Sequence, residues 1–99
     1  MTGAAVRVLS VDGDLVLARA PALKDQLVEA LADPAPLILE LAGVTRIDTA
    51  GVQLLLLAQR LAVTRGVALS LPSPSPVVTE ALHALSLDTY MNMPSESGV

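Results

Sequence analysis

Hydrophobic and polar positions alternate between two rhythms along this chain, and the change of rhythm marks its elements. Val6, Arg7, Val8, Leu9, Ser10 and Val11 are largely apolar with β-branched residues, which predicts a strand over 6–11. Asp12-Gly13-Asp14 follows as a hairpin signal, so Leu15 to Ala18 is expected to return as an antiparallel second strand. From Ala20-Pro21 the period changes. Leu23, Leu27, Ala30 and Leu31 recur at helical spacing, and Lys24, Asp25, Gln26 and Glu29 lie off that stripe. Proline suits a first helical position, and Asp33-Pro34 ends the segment.

Leu37 to Leu41 carries almost no alternation, as a central strand covered on both faces or nearly so would. The segment 42–47 reads as a loop. Asp48-Thr49-Ala50-Gly51 then opens a long apolar helix, Val52 to Arg65, with Gly66 as its stop. Val67 to Leu71 is the next strand. After the proline-serine turn 72–76, Ser75 is placed to cap and Pro76 to begin a helix reaching about Leu85, with Val78, Leu82 and Leu85 on one stripe and Ala81 beside it. Beyond Asp88 the pattern is lost, and Pro94 to Val99 is expected to fray. Strands joined by crossover helices imply right-handed parallel connections. The expected architecture is therefore α/β, a mixed sheet of four strands with helices packed against it.

The long helix is apolar on two sides. At about 100° per residue, Val52, Leu55, Leu56 and Val63 gather on one face with Ala62 at its edge, and Leu54, Leu57 and Leu61 on nearly the opposite one. Gln53, Arg60 and Thr64 run between them. One face must cover the sheet. The second either packs on a neighbouring helix or forms a surface for a protein partner. Burying a leucine is worth roughly 1.5–3 kcal/mol, so three leucines left in water would be a solubility liability.

Composition narrows the function. Ninety-nine residues make a single domain, and roughly 60–70% of the unfolded surface is buried at this size, enough for one core. The chain is 53% hydrophobic, but no apolar run approaches the ~20 residues that span a bilayer. Even 52–63 is interrupted by Gln53, Gln59 and Arg60. No basic segment followed by an apolar stretch opens the chain, so a cytoplasmic location is the default expectation. A chain without cysteine has no disulfide, thiolate catalysis or thiolate metal site, and a lone histidine, His83, argues against an imidazole metal site or triad. No cofactor is implied. Net charge is −4 and Tyr90 is the one aromatic residue, so nucleic-acid binding is disfavoured both electrostatically and for want of stacking groups. The acids are scattered and no nucleophile has a base partner at a readable spacing, so no enzyme is expected.

The chemistry that remains lies at the start of the long helix. Asp48 is a preferred N-cap, and Thr49 falls in the first turn with its hydroxyl near the surface, at the positive end of the helix dipole. Such a hydroxyl is a candidate phosphate acceptor. Gly51 lets a backbone or a partner approach closely, and Gly51→Leu is expected to fold yet lose a partner docked there. Arg46, beside the tetrapeptide, is either a surface loop charge or a contact to an acidic group of a partner.

The run Val44-Thr45-Arg46-Ile47-Asp48-Thr49-Ala50-Gly51-Val52 resembles the signature of the STAS domain, the module of sulphate transporters and anti-sigma factor antagonists. That family carries an Asp, a Ser or Thr, a small residue and a Gly at the start of the helix after its third strand. The likeness runs over roughly Val6 to Leu87. It includes Gly13 with Leu15, the stretch 37–43 before the motif, Gly66 after the helix, and Ser75-Pro76 opening the next one. The resemblance implies a STAS-like sheet of four to five strands. It also implies a protein that binds a protein partner and is switched by phosphorylation at Thr49, with Asp48, Ala50, Gly51, Arg46, Leu54, Leu57 and Leu61 at the docking surface. The partner implied is an anti-sigma or kinase-like protein in a signal-transduction pathway. Serine is usual at the acceptor of such switches. Threonine there also resembles the STAS subunit of an Mla-type phospholipid ABC transporter, which implies instead a non-phosphorylated accessory subunit bound to the transporter ATPase, without direct membrane insertion. Many STAS domains end with a further strand and helix. Here either those elements are absent or Asp88 to Met91 forms a very short edge strand.

Overall fold

The structure, a computed structural model, describes residues 6–91. In order, the elements are β1 (Arg7–Ser10), β2 (Gly13–Leu15), a single 3-10 turn (Leu17–Arg19), α1 (Ala20–Ala30), β3 (Leu37–Glu40), β4 (Val44–Ile47), α2 (Thr49–Arg65), β5 (Leu69–Ser70) and α3 (Pro76–Ala84). The α/β class and the packing of helices on strands are as expected. The connectivity at the N-terminus is not. β1 pairs in parallel with β3, Arg7 opposite Leu37 and Ser10 opposite Glu40, and β3 pairs in parallel with β5. β2 pairs in parallel with β4, Gly13 opposite Val44 and Leu15 opposite Ile47.

No hairpin forms at Asp12-Gly13-Asp14. Val11 N donates to Glu40 O at 3.0 Å and Gly13 N to Gly43 O at 2.9 Å, so residues 7–15 run as one kinked path beside residues 37–47. The kink is where glycine is needed: Gly13 has a φ of +79°. Arg19 holds it there, its Nη1 donating to both Asp12 O and Asp14 O at 2.7 Å. The second strand accordingly stops at Leu15, and the expected strand residues 17–18 belong to the 3-10 turn. The expected loop 42–47 contains β4. Val44 is buried, Thr45 and Arg46 are exposed and Ile47 is half-buried, so this strand lacks the unbroken apolar run that marks β3.

β3 sits at the centre. Leu37 and Leu39 are buried in the core and Ile38 and Glu40 are half-buried. On α2 the buried positions are Gly51, Val52, Leu54, Leu55, Ala58, Gln59 and Ala62. This is one broad face centred on the small residues Gly51, Ala58 and Ala62, between the two faces expected from the large residues. Leu54 therefore points into the core, and Val63, expected in the buried set, is 68% exposed. Leu57 and Leu61 are half-buried, on the flank that faces α1. Of the two readings of that flank, packing on a neighbouring helix holds for part of it. Gly66 ends α2 with a φ of +71°.

The predicted strand 67–71 narrows to the ladder Leu69–Ser70. α3 begins at Pro76 after Ser75, whose side chain makes no capping bond. Val78 and Leu82 are fully buried, but Leu85 lies at the helix end and is 57% exposed. Residues 88–91 form turns rather than an edge strand. They return Met91 to the core, and Gln59 Nε2 donates to Tyr90 O at 3.1 Å. The tail 94–99 lies outside the described residues. Among the described residues no helix is long and apolar enough to cross a membrane.

Candidate functional site

Asp48 joins three elements. Leaving β4 in an extended conformation (φ −123°), it caps α2: Oδ1 accepts from Gly51 N at 3.0 Å. Its other oxygen, Oδ2, accepts from Leu17 N at 3.1 Å, and its own N–H donates to Leu15 O at 3.3 Å. The carboxylate thus ties the end of β2 and the 3-10 turn to the start of α2. Those backbone N–H groups, Gly51 first and Leu17 second, hold its pKa below the usual carboxylate range.

Thr49 is the first residue of α2 and is exposed, as expected. The four free N–H groups and aligned peptide dipoles of a helix start favour negative charge there. Ala50 is half-buried beside it. Gly51 is buried, and what approaches it is this chain's own backbone. A Cβ at Gly51 would press on the Leu15 carbonyl group and stand 2.9 Å from Ile47 Cγ1. Of the two approaches expected at Gly51, that of a backbone is the one the structure shows. Leu54 is 5% exposed, and the little surface it keeps lies on the side of α2 that faces α1.

Arg46 is placed on β4 rather than in a loop. It stands opposite Asp14 in the β2–β4 ladder, with Nη1 3.6 Å from Asp14 Oδ2. Both side chains are open to solvent, so the pair contributes little. Arg46 borders a shallow depression between β4 and α3 with Thr45, Val77 and Glu80. His83 is exposed, as expected, and its Nδ1 lies 3.0 Å from Asp88 Oδ2.

Missed from sequence was a groove of about 700 Å³ between α1 and α2, which starts at Ala50. Leu17, Ala20, Pro21, Leu56 and Leu57 give it apolar walls, and Lys24, Gln53 and Arg60 its polar groups. The signal available was the one-turn spacing of Thr49, Gln53, Leu56 and Arg60, at intervals of three to four residues, which places all four on one side of α2. The matching residues of α1 become legible only once the two helices are packed. Among the described residues no group of three acidic or imidazole side chains is placed to hold a metal ion.

A capped helix start with an exposed threonine, set over parallel strands, is the arrangement that the signature at 44–52 led us to expect. The family model described as Mlab, STAS domain, matches residues 2–94. The chain belongs to the STAS domain family. Solved structures agree on the fold. The anti-sigma factor antagonist SpoIIAA in its unphosphorylated form superposes with a TM-score of 0.73 at 21% identity, over 97% of this chain and 85% of that one. A sulfate transporter family protein from Wolinella succinogenes gives 0.69 at 22% identity, over 87% of this chain and 70% of that one. The STAS domain of a SulP transporter from Vibrio cholerae gives 0.68 at 21%, over 94% and 76%. Among curated proteins no match is found.

Proposed function

We propose that this chain is a regulatory STAS protein of the anti-sigma factor antagonist type, not an enzyme. In this reading it works in the cytoplasm, binds an anti-sigma or kinase-like protein around the start of α2, and is switched by phosphorylation at Thr49. The observation that carries the reading is the exposure of Thr49 beside a cap that is already complete. Asp48 is satisfied by Gly51 and Leu17, so the threonine hydroxyl is not needed to hold the helix. A phosphate there adds about −1.5 to −2 charge to the docking surface without dismantling the fold beneath it. Ala50, Leu57, Leu61 and Arg46 complete the surface in this reading. Asp48 and Gly51 shape it from below.

A second reading rests on a different observation, the family description itself, which names Mlab. In it the chain is a non-phosphorylated accessory subunit that docks on the ATPase of an Mla-type phospholipid transporter. One experiment separates the two. Intact-mass spectrometry of the protein from its native source, with and without phosphatase, is combined with identification of the protein captured alongside it. A phosphatase-sensitive adduct on Thr49 with a kinase-like partner supports the switch. An unmodified chain with a transporter ATPase supports the second reading.

A further inference from the structure

Lys24 and Arg60 face the same groove from opposite helices, and no acidic side chain lines it. Neither cation forms an ion pair with a described residue. The molecule as a whole carries −4, with ten acids against six basic side chains, so this groove is a basic spot on an acidic protein. Between the two cations the walls are apolar: Leu17 is 69% exposed, and Leu56 and Leu57 are half-buried. Two helices flanking an apolar trough with charged rims form the geometry that receives an amphipathic helix, whose apolar side chains enter the trough while its charged ones meet the rims.

We infer that the α1–α2 groove docks an acidic amphipathic helix of the partner protein, with Lys24 and Arg60 pairing with its carboxylates. This deepens the regulatory reading above and rests on it for the existence of a partner. It also supplies the reason why a phosphate on Thr49 acts as a switch. Thr49, Gln53, Leu56 and Arg60 follow one another along α2 at helical spacing, so the phosphate joins the same row as Arg60. The phosphate adds about −1.5 to −2 charge next to Ala50, where the groove begins, so an acidic helix entering there is repelled. An acidic partner is also steered here by the remainder of the surface, which repels it.

The probe is a synthetic helical peptide with leucine and glutamate at amphipathic spacing, alongside a leucine–lysine counterpart and vesicles of anionic phospholipid. Binding is followed by fluorescence anisotropy and by amide chemical shifts of the whole protein. The leucine–glutamate peptide is expected to shift Lys24, Gln53, Leu57 and Arg60, to bind more weakly as salt rises from roughly 0.05 to 0.5 M, and to lose roughly ten-fold affinity in Lys24→Glu/Arg60→Glu. Lys24→Gln/Arg60→Gln gives a smaller loss. Equal or tighter binding of the lysine peptide, shifts confined to other surfaces, or an unaffected charge-reversed variant overturns the inference. So does a response to the vesicles without one to the peptide, which would make the groove a membrane contact. The regulatory reading fails separately. If Lys24→Glu/Arg60→Glu abolishes peptide binding but Thr49→Glu does not weaken it, the groove stands and the switch falls. If Thr49→Glu releases the native partner and the charge reversal does not, the switch stands and the groove falls.

Discussion

The α-carbon of Gly51 lies against the carbonyl group of Leu15. A Cβ placed on it would stand 3.1 Å from the Leu15 carbonyl carbon, with the oxygen nearer still. That oxygen accepts the Asp48 N–H, so it is not free to swing away. The glycine is therefore a packing requirement between β2 and α2.

Replacing Gly51 tests that requirement. An alanine gains up to ~1 kcal/mol of helix propensity over glycine. Against this stands overpacking of typically 1–3 kcal/mol, here against backbone that cannot relax by changing a rotamer. Gly51→Ala is expected to lower the urea midpoint, and Gly51→Leu to prevent native folding rather than to remove binding selectively, contrary to the expectation from sequence. A folded Gly51→Leu with a native amide spectrum would contradict the packing described here.

Asp48 carries a pH prediction. Its pKa is depressed in the folded state by the N–H groups of Gly51 and Leu17. A depressed carboxylate stabilises the fold fully above its unfolded pKa, about 3.9, and the contribution is lost as pH falls through the lower folded value. Asp48→Asn keeps an acceptor oxygen but not the charge. The variant is expected to melt below wild type at neutral pH, with the gap closing in acid. Asp88 is also held low, by its bond to His83, so the comparison is cleanest in an Asp88→Asn background. Melting curves by circular dichroism across pH 2–7 check it, and a gap independent of pH would remove the charge from the account.

What was legible in the sequence was local. The Asp48 cap, the helix to Arg65 and the left-handed stop at Gly66 each depend on residues within a turn of one another, and all three are found. The Asp12-Gly13-Asp14 reading got the residue right and the consequence wrong. A positive φ is required at Gly13, but whether it reverses the chain or kinks it is decided by pairing with β4, which is distant in sequence, and by Arg19, whose bonds back to Asp12 and Asp14 no hydrophobic pattern announces. The buried face of α2 was misplaced for a different reason. The large leucines suggest two opposite faces, whereas the face that is buried is centred on the small residues Gly51, Ala58 and Ala62, which a pattern of large apolar side chains does not mark. The α1–α2 groove needs two helices packed together, so neither one's pattern could announce it.

The turn after α3 holds the next prediction. Met91 is fully buried, and Gln59, on α2, donates to Tyr90 O. Met91→Ala is expected to cost roughly 2–5 kcal/mol, the range for emptying a large core site. Gln59→Met removes the bond and also the buried, unpartnered Oε1, so global stability should move by less than about 1.5 kcal/mol. Local opening of residues 87–91 should nonetheless become faster in hydrogen exchange, because the strap to α2 is gone. Unchanged exchange in that segment would mean that Met91 alone holds it.

Thr49 separates folding from binding most directly. The helix start favours an anion in its first turn by ~0.3–1 kcal/mol, and the neighbouring Asp48 charge works against this, so Thr49→Glu should melt close to wild type. Binding is a different matter. The partner would meet a carboxylate that must be desolvated or that faces its own acids, and an unpaired buried charge is costly enough to neutralise or expel. Thr49→Glu is therefore expected to weaken capture of the native partner at least ten-fold, Thr49→Gln, of similar size but neutral, much less, and Thr49→Ala to bind constitutively. Titration calorimetry of the three variants against the captured partner gives the order. If Thr49→Glu binds as tightly as wild type, phosphorylation at this residue is not the switch, and the exposed threonine of this STAS domain would then be read as part of a constitutive docking surface.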